Sequence, residues 1–212
     1  MVDDDWFRNP RWGPDDQKAF FERLSRSRGN FNKSQYARTK ASALLGTKKK
    51  NLVFAAKDLL NKIIQEWPDK SDLAPCFLEL ANCEVFLGKI DSAIGFYRKC
   101  LQQEKINPNM RTEAWVEFPL LIIRNNLSNY YDEALKVLSE FKSSFPFPYD
   151  MFVVHGVQSL IAYENGNLKY AEENAKKALE IADVKTTGLS YHPKVGLVVG
   201  QEDIIARLRQ IV

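Results

Sequence analysis

Few residues in this 212-residue chain are spaced to do covalent chemistry. Its two histidines, His155 and His192, have the side chain best suited to move protons near neutral pH. Neither has a sequence neighbour forming a Ser/His/Asp or Cys/His signature. The cysteines Cys76, Cys83 and Cys100 are odd in number and contain no CxxC, which argues against a disulfide framework and against a zinc site. Cys100 stands where a small apolar residue would pack, and Cys76 and Cys83 fall seven apart on one predicted helix. Glu172-Glu173 reads as a solvated helix face, and no glycine-rich phosphate loop occurs. The sequence therefore assigns no catalytic residue, no metal ligand and no cofactor, and predicts a protein that is not an enzyme.

Charge is more informative. From Arg23 to Lys57 there are ten basic residues and no acid, whereas residues 58–212 hold 17 basic and 21 acidic residues, a net of −4. The formal net charge of +3 thus conceals a polarised chain. Such an asymmetry creates a local field that steers an acidic partner. The candidate contacts are Arg26, Arg28, Lys33, Arg38, Lys40, Lys48, Lys49 and Lys50. Nucleic acid is the alternative partner, since lysine and arginine neutralise phosphates. The stretch offers few aromatics for base stacking beyond Phe31 and Tyr36, and carries no nucleic-acid motif.

The elements that must position these groups are helical. Ala56, Ala93, Ala134 and Ala171 each open a stretch whose apolar residues recur four, seven and eight positions later, the period of one helix face. Ala56 is followed by Leu60, Ile63 and Ile64; Ala93 by Tyr97, Cys100 and Leu101; Ala134 by Leu138 and Phe141; Ala171 by Ala175, Ala178 and Leu179. Pro68 and Pro146 each stand twelve residues after their alanine. Five residues before three of the alanines come Gly88, Asn129 and Gly166, where a helix end calls for a left-handed backbone. Ile90, Tyr131 and Leu168 supply the apolar residue of each turn. Before Ala56 the turn Gly46–Asn51 is longer. The unit is helix, turn, helix.

The three units spanning roughly residues 74–182 resemble tetratricopeptide repeats, and residues 33–68 resemble a degenerate fourth. The strongest match is Phe77-x2-Leu80-Ala81-x6-Gly88-x-Ile90-x2-Ala93-x3-Tyr97-x2-Cys100-Leu101; Glu84 and Asn125 stand where the pattern has an aromatic. The resemblance implies an all-α fold, an α-solenoid of about four helix hairpins with N-terminal and C-terminal capping helices. It also implies a concave groove on the first helices, lined or bordered by Asn82, Val85, Phe86, Ile123, Asn126 and Tyr163, with Leu78, Val116, Leu127, Leu160 and Glu164 alongside. Its mixture of exposed apolar and amide groups suits protein contact, and some positions are expected to be buried between repeats. The clamp that such domains use for acidic chaperone tails is not expected, because Leu78, Leu120, Val153 and Val157 occupy its polar or basic positions although Asn82 fits. The opening Asp4-Asp5-Trp6-Phe7-Arg8, followed by Trp12, is similar to the start of small bacterial repeat proteins of unassigned role.

Residues 1–212 are expected to form one domain, with 1–30 an N-terminal cap and 188–212 a C-terminal loop and capping helix. Pro14-Asp15-Asp16 starts the first helix, and Ala19, Phe20, Phe21 and Leu24 cover the open end of the stack. No apolar run approaches 18 residues, and the acidic start is unlike a signal peptide. A reduced, cytoplasmic setting and no membrane partner are therefore expected. The functional expectation is a scaffold or adaptor that binds an acidic protein, as an immunity- or antitoxin-type protein sequesters an effector. The groove can alternatively be covered by residues 188–212, which would shift contact to the basic face.

Overall fold

Ala56, Ala93, Ala134 and Ala171 are each completely shielded from solvent, as a register of small residues requires where two helices approach closely. The structure, a computed structural model, describes residues 5–140 and 147–212. Met1–Asp4, Phe141 and Pro146 lie outside the described residues. Among those described every regular element is helical, and the helices pack chiefly against their neighbours in the chain. The fold is all-α. Residues 1–212, treated above as one domain, divide into two compact units, Met1–Ala114 and Trp115–Val212.

The first unit contains α1 (Pro14–Ser25), α2 (Gly29–Leu45), α3 (Lys50–Glu66), α4 (Leu73–Phe86) and α5 (Ile90–Ile106). Proline at the first position starts α1 without wasting a donor. The Asp16 carboxylate accepts the Gly13 N–H at 3.0 Å, closing the first turn and complementing its dipole. On α3 the buried residues Val53, Ala56, Leu60 and Ile63 keep the three-and-four spacing. They meet Ala37, Ala41 and Leu44 of α2 in one core with Leu80, Cys76 and Cys83 of α4. The N-terminal cap is aromatic. Trp6 packs on Phe20 and Tyr36 at 5.2 and 5.3 Å between ring centres, and Trp12 packs on Phe20 at 5.4 Å.

The second unit contains α6 (Ala114–Arg124), α7 (Tyr131–Glu140), α8 (Pro148–Glu164), α9 (Leu168–Ala182) and α10 (Glu202–Leu208). A single 3-10 turn, Ser128–Tyr130, runs directly into α7. The helix expected over residues 202–212 stops at Leu208, with Ile204 and Leu208 buried. Before it the irregular strap 183–200 is pinned to the start of α8, where the Tyr149 N–H donates to the Gly196 carbonyl at 2.8 Å. Gly196 has φ +73°, and a Cβ there would sit 2.4 Å from the Phe147 ring, so the contact demands glycine twice over. No helix among the described residues is long and apolar enough to cross a membrane.

The four joints share one construction. A residue with positive φ ends the first helix, the next residue is non-helical, and the second helix then begins. The positive-φ residues are Lys48, Gly88, Asn126 and Gly166. After the last three, the N–H of the following residue reaches back to a carbonyl five residues earlier: Lys89 to Glu84, Leu127 to Ile122, Asn167 to Ala162. This satisfies carbonyls that a helix end would otherwise leave open. Two corrections to the sequence reading follow. The left-handed residue of the third joint is Asn126, not Asn129, because Asn129 is taken into the 3-10 turn. The turn before Ala56 is longer than its counterparts, Gly46–Lys49 against Leu87–Lys89, but Lys50 and Asn51, counted with it above, belong to α3, and Lys48 takes the left-handed place. Gly88 and Gly166 precede their alanines by five residues, Lys48 and Asn126 by eight.

Candidate functional site

Folding breaks the basic segment into parts with different employment. Lys40 is only 1% exposed. Its ammonium donates to the Asn9 carbonyl at 2.7 Å and to Asn9 Oδ1 at 2.9 Å, over the rings of Trp12 and Phe20. Burial lowers its pKa from the ordinary 10.5, and Asp16 offsets part of that. Arg38 donates through Nε to Asp72 at 2.8 Å and through Nη1 to Glu79 at 3.3 Å. Ser34 also donates to Asp72, and Ser42 to Glu79 at 2.7 Å. Lys57 pairs with buried Glu84 at 2.5 Å. Three cations of the acid-free stretch thus neutralise or satisfy groups within their own unit. Burial still raises the Glu79 pKa above its ordinary 4.5, and Oε2 of both Glu79 and Glu84 is buried without a hydrogen-bond partner among the described residues.

Arg38 and Lys40 therefore do not present free charge to a partner, a correction to their sequence assignment. What remains splits in two. Arg26 and Arg28 are exposed and Lys33 half-buried around the start of α2, whereas Lys48, Lys49 and Lys50 are exposed just past its end. The 17 residues of α2 hold the two groups roughly 25 Å apart at 1.5 Å per residue. Phe31, 48% exposed, stands with the first group.

Beside the second group opens a cleft of about 430 Å³, lined from one side by Trp12, Gln17 and Phe21 and from the other by α3 from Asn51 to Lys62. Phe54 on its wall is 41% exposed although it lies one helical step from fully buried Val53. Its lining mixes apolar Leu52, Ala55 and Leu59 with polar Gln17, Asn51, Asp58 and Lys62. Lys62 is held over Phe21 and Trp67 and pairs with Glu66 at 2.5 Å, while Asp58 is exposed. The sequence reading cast Phe21 as a cover for the stack and did not single out Phe54. The available signal was that Phe54 falls off the Val53, Ala56, Leu60, Ile63 face.

The expected groove residues have mixed fates. In the first unit, Asn82 is half-buried and accepts the Tyr97 hydroxyl at 2.9 Å, Val85 is half-buried, and Phe86 is 40% exposed. In the second unit Tyr163 is 50% exposed, but Ile123 is fully buried. The chain's own α10 explains this end of the unit. Arg207 donates through Nη1 to the Ile123 carbonyl at 2.6 Å and through Nη2 to Asn126 Oδ1 at 3.2 Å and Glu164 Oε1 at 3.4 Å. Arg124 grips Asp203 at 2.8 Å and Gln201 Oε1 at 2.7 Å. Ile204 and Leu208 lie against α8 at Gly156, where a Cβ would meet both at 3.6 Å in ordinary contact. Ile123 and Asn126 thus serve the closure of α10, and Ile123 is corrected from contact residue to core.

Of the remaining reactive groups, His155 and the three thiols are taken up within the fold. His155 Nδ1 lies 2.9 Å from Oδ1 of buried Asn174, whose amide donates to the Tyr170 carbonyl. The hydroxyl of nearby Ser159 donates to the Ala171 carbonyl at 2.7 Å. His192 is exposed on the strap. The three thiols are buried and unpaired by disulfides. Burial pushes Cys83 up to about 12 and Cys76 further, which suppresses thiolate chemistry at both. Among the described residues no three His, Cys, Asp or Glu gather as metal ligands. No known family and no curated protein matches this chain.

Proposed function

We propose that the chain is a non-enzymatic adaptor, a tetratricopeptide-like α-solenoid that binds an acidic protein through its first unit. The observation that carries this reading is the placement of Lys48, Lys49 and Lys50. All three are exposed, make no ion pair among the described residues, and adjoin a cleft with an exposed phenylalanine on its wall. Cations without an ion pair beside a recess that carries exposed Phe54 suit a protein partner, where charge sets the rate and orientation of encounter and apolar contact holds the complex. A cytoplasmic setting is part of the same proposal, as is an immunity- or antitoxin-type role in which one effector is sequestered. The involvement of α10 with Ile123 and Asn126 favours the basic face over a groove in the second unit. Phe31 between Arg28 and Lys33 supports the second reading, a nucleic-acid-associated regulator that stacks a base there.

A pull-down from nuclease-treated native lysate at low and high salt tests the adaptor reading. One stoichiometric acidic protein should be retained at low salt, and Lys48→Glu, Lys49→Glu, Lys50→Glu together should lose it. Recovery of nucleic acid in untreated lysate, with nothing retained after nuclease, would establish the second reading instead. Arg38 and Lys40 are unsuitable for this test, since a carboxylate at either would face Asp72 and Glu79 or the Asn9 oxygens and destabilise the unit.

A further inference from the structure

We infer that the cleft between the N-terminal cap and α3 is a docking site for a peptide segment of one polarity: an aromatic or large aliphatic anchor with carboxylates on one side only. This rests on the adaptor reading and specifies the contact. The site is built on the second helix of the first hairpin, away from the first helices on which the resemblance places its groove.

Three observations fix the chemistry of the occupant. The recess of about 430 Å³ is lined by Leu52, Ala55, Leu59, Trp12, Phe21 and Phe54 together with the polar Gln17, Asn51, Asp58 and Lys62, a mixed lining that suits one large apolar side chain with polar groups beside it. Phe54 keeps 41% of its surface in water, so an occupant that covers it gains apolar burial. Charge then gives direction. Lys48, Lys49 and Lys50 stand at the N-terminal end of α3, while Asp58 is the acid among the lining residues, about 12 Å further along at 1.5 Å per residue. Lys62 does not compensate for Asp58, because it is closed off by Glu66 at 2.5 Å and by the rings of Phe21 and Trp67. Carboxylates on the side of the anchor toward the start of α3 meet three ammonium groups without an ion pair among the described residues; carboxylates on the other side meet Asp58.

Fluorescence anisotropy on the full chain tests this with a short labelled peptide of three glutamates, a glycine and a phenylalanine. Three controls accompany it: phenylalanine replaced by serine, glutamates on both sides, and a single-stranded oligonucleotide of matching charge. The one-sided peptide should bind, and the serine control about tenfold more weakly. Binding should fall by about tenfold in Ala55→Trp, which fills the recess, and in the triple Lys48→Glu, Lys49→Glu, Lys50→Glu variant. The two-sided peptide should bind less well than the one-sided one, with Asp58→Asn removing the difference. Phe54→Ala, at an exposed position, supplies the same test if Ala55→Trp does not fold by circular dichroism. Binding that ignores the phenylalanine, Ala55→Trp and Phe54→Ala alike overturns the cleft yet leaves the acidic-partner reading standing. No binding by the peptide also overturns the cleft, with the pull-down deciding the wider reading. Preference for the oligonucleotide through the same lysines overturns both.

Discussion

Glycines with the same backbone angle carry different obligations in this protein. Gly88 and Gly196 have φ near +72° and +73°, but only Gly196 has an atom in the way of a side chain. Gly88→Ala should cost about 1 kcal/mol, the penalty of a left-handed L residue. Gly196→Ala should cost about 2–4 kcal/mol, because Phe147 must also shift from its Cβ outward; urea unfolding of both variants measures the difference. Glu79 offers a pH test. Its pKa is raised by burial, so the folded state favours its neutral form. Its contribution is fully present below pH 4.5 and lost as pH rises through the raised value. In Glu79→Gln this slope disappears, so the stability of wild type relative to the variant should fall as pH climbs above 4.5, readable from denaturant midpoints. The four alanines were legible from spacing because they answer to a local period. The employment of Arg38 was not, since Asp72 and Glu79 lie 34 and 41 residues away in sequence and an acid-free window says nothing of acids that folding brings to it.

At the level of the element, the hairpin was readable and its length was not. Periodicity fixes which face of α3, α5, α7 and α9 is buried, while the position of the left-handed residue depends on where the preceding helix runs out of turns. Asn129 and Asn126 are chemically equivalent candidates, and only the 3-10 turn decides between them. The short α10 depends on side-chain anchoring, for seven residues are too few to be helical alone. Arg207→Ala should therefore lower stability by about 1.5–3 kcal/mol, the worth of hydrogen bonds from a charged donor. It should also speed amide exchange of Ile204 and Leu208 before the rest of the second unit opens. Uniform acceleration across that unit would show that α10 does not act as a separable latch.

Across the whole molecule, residues 1–114 carry 20 basic and 15 acidic residues and residues 115–212 carry 10 and 12. The asymmetry seen in sequence survives this division even though Arg38, Lys40 and Lys57 are taken up internally. Of the candidate contacts, those left at the surface fall in two small groups near the two ends of α2. With only a few exposed cations near the contact, the association rate with an acidic partner should fall by about tenfold as ionic strength rises from 0.01 to 0.15 M, shortening the Debye length from about 30 to 8 Å. Dissociation should change little, which stopped-flow fluorescence separates from the on-rate. A rate insensitive to salt would leave only apolar recognition.

The unequal distances from left-handed residue to alanine, five at two joints and eight at two, also bear on which length changes this chain tolerates. Three added residues advance a helix by about 300°, leaving the alanine roughly 60° short of its original bearing. One or two added residues turn it toward water. Deletion variants should thus tolerate the loss of a near-whole turn at a hairpin tip: removing Ser128–Tyr130 gives the third hairpin the five-residue spacing of the second and fourth with Ala134 about 60° off its bearing, whereas removing Ser128 alone swings it by about 100°, and thermal melts of the two variants compare them.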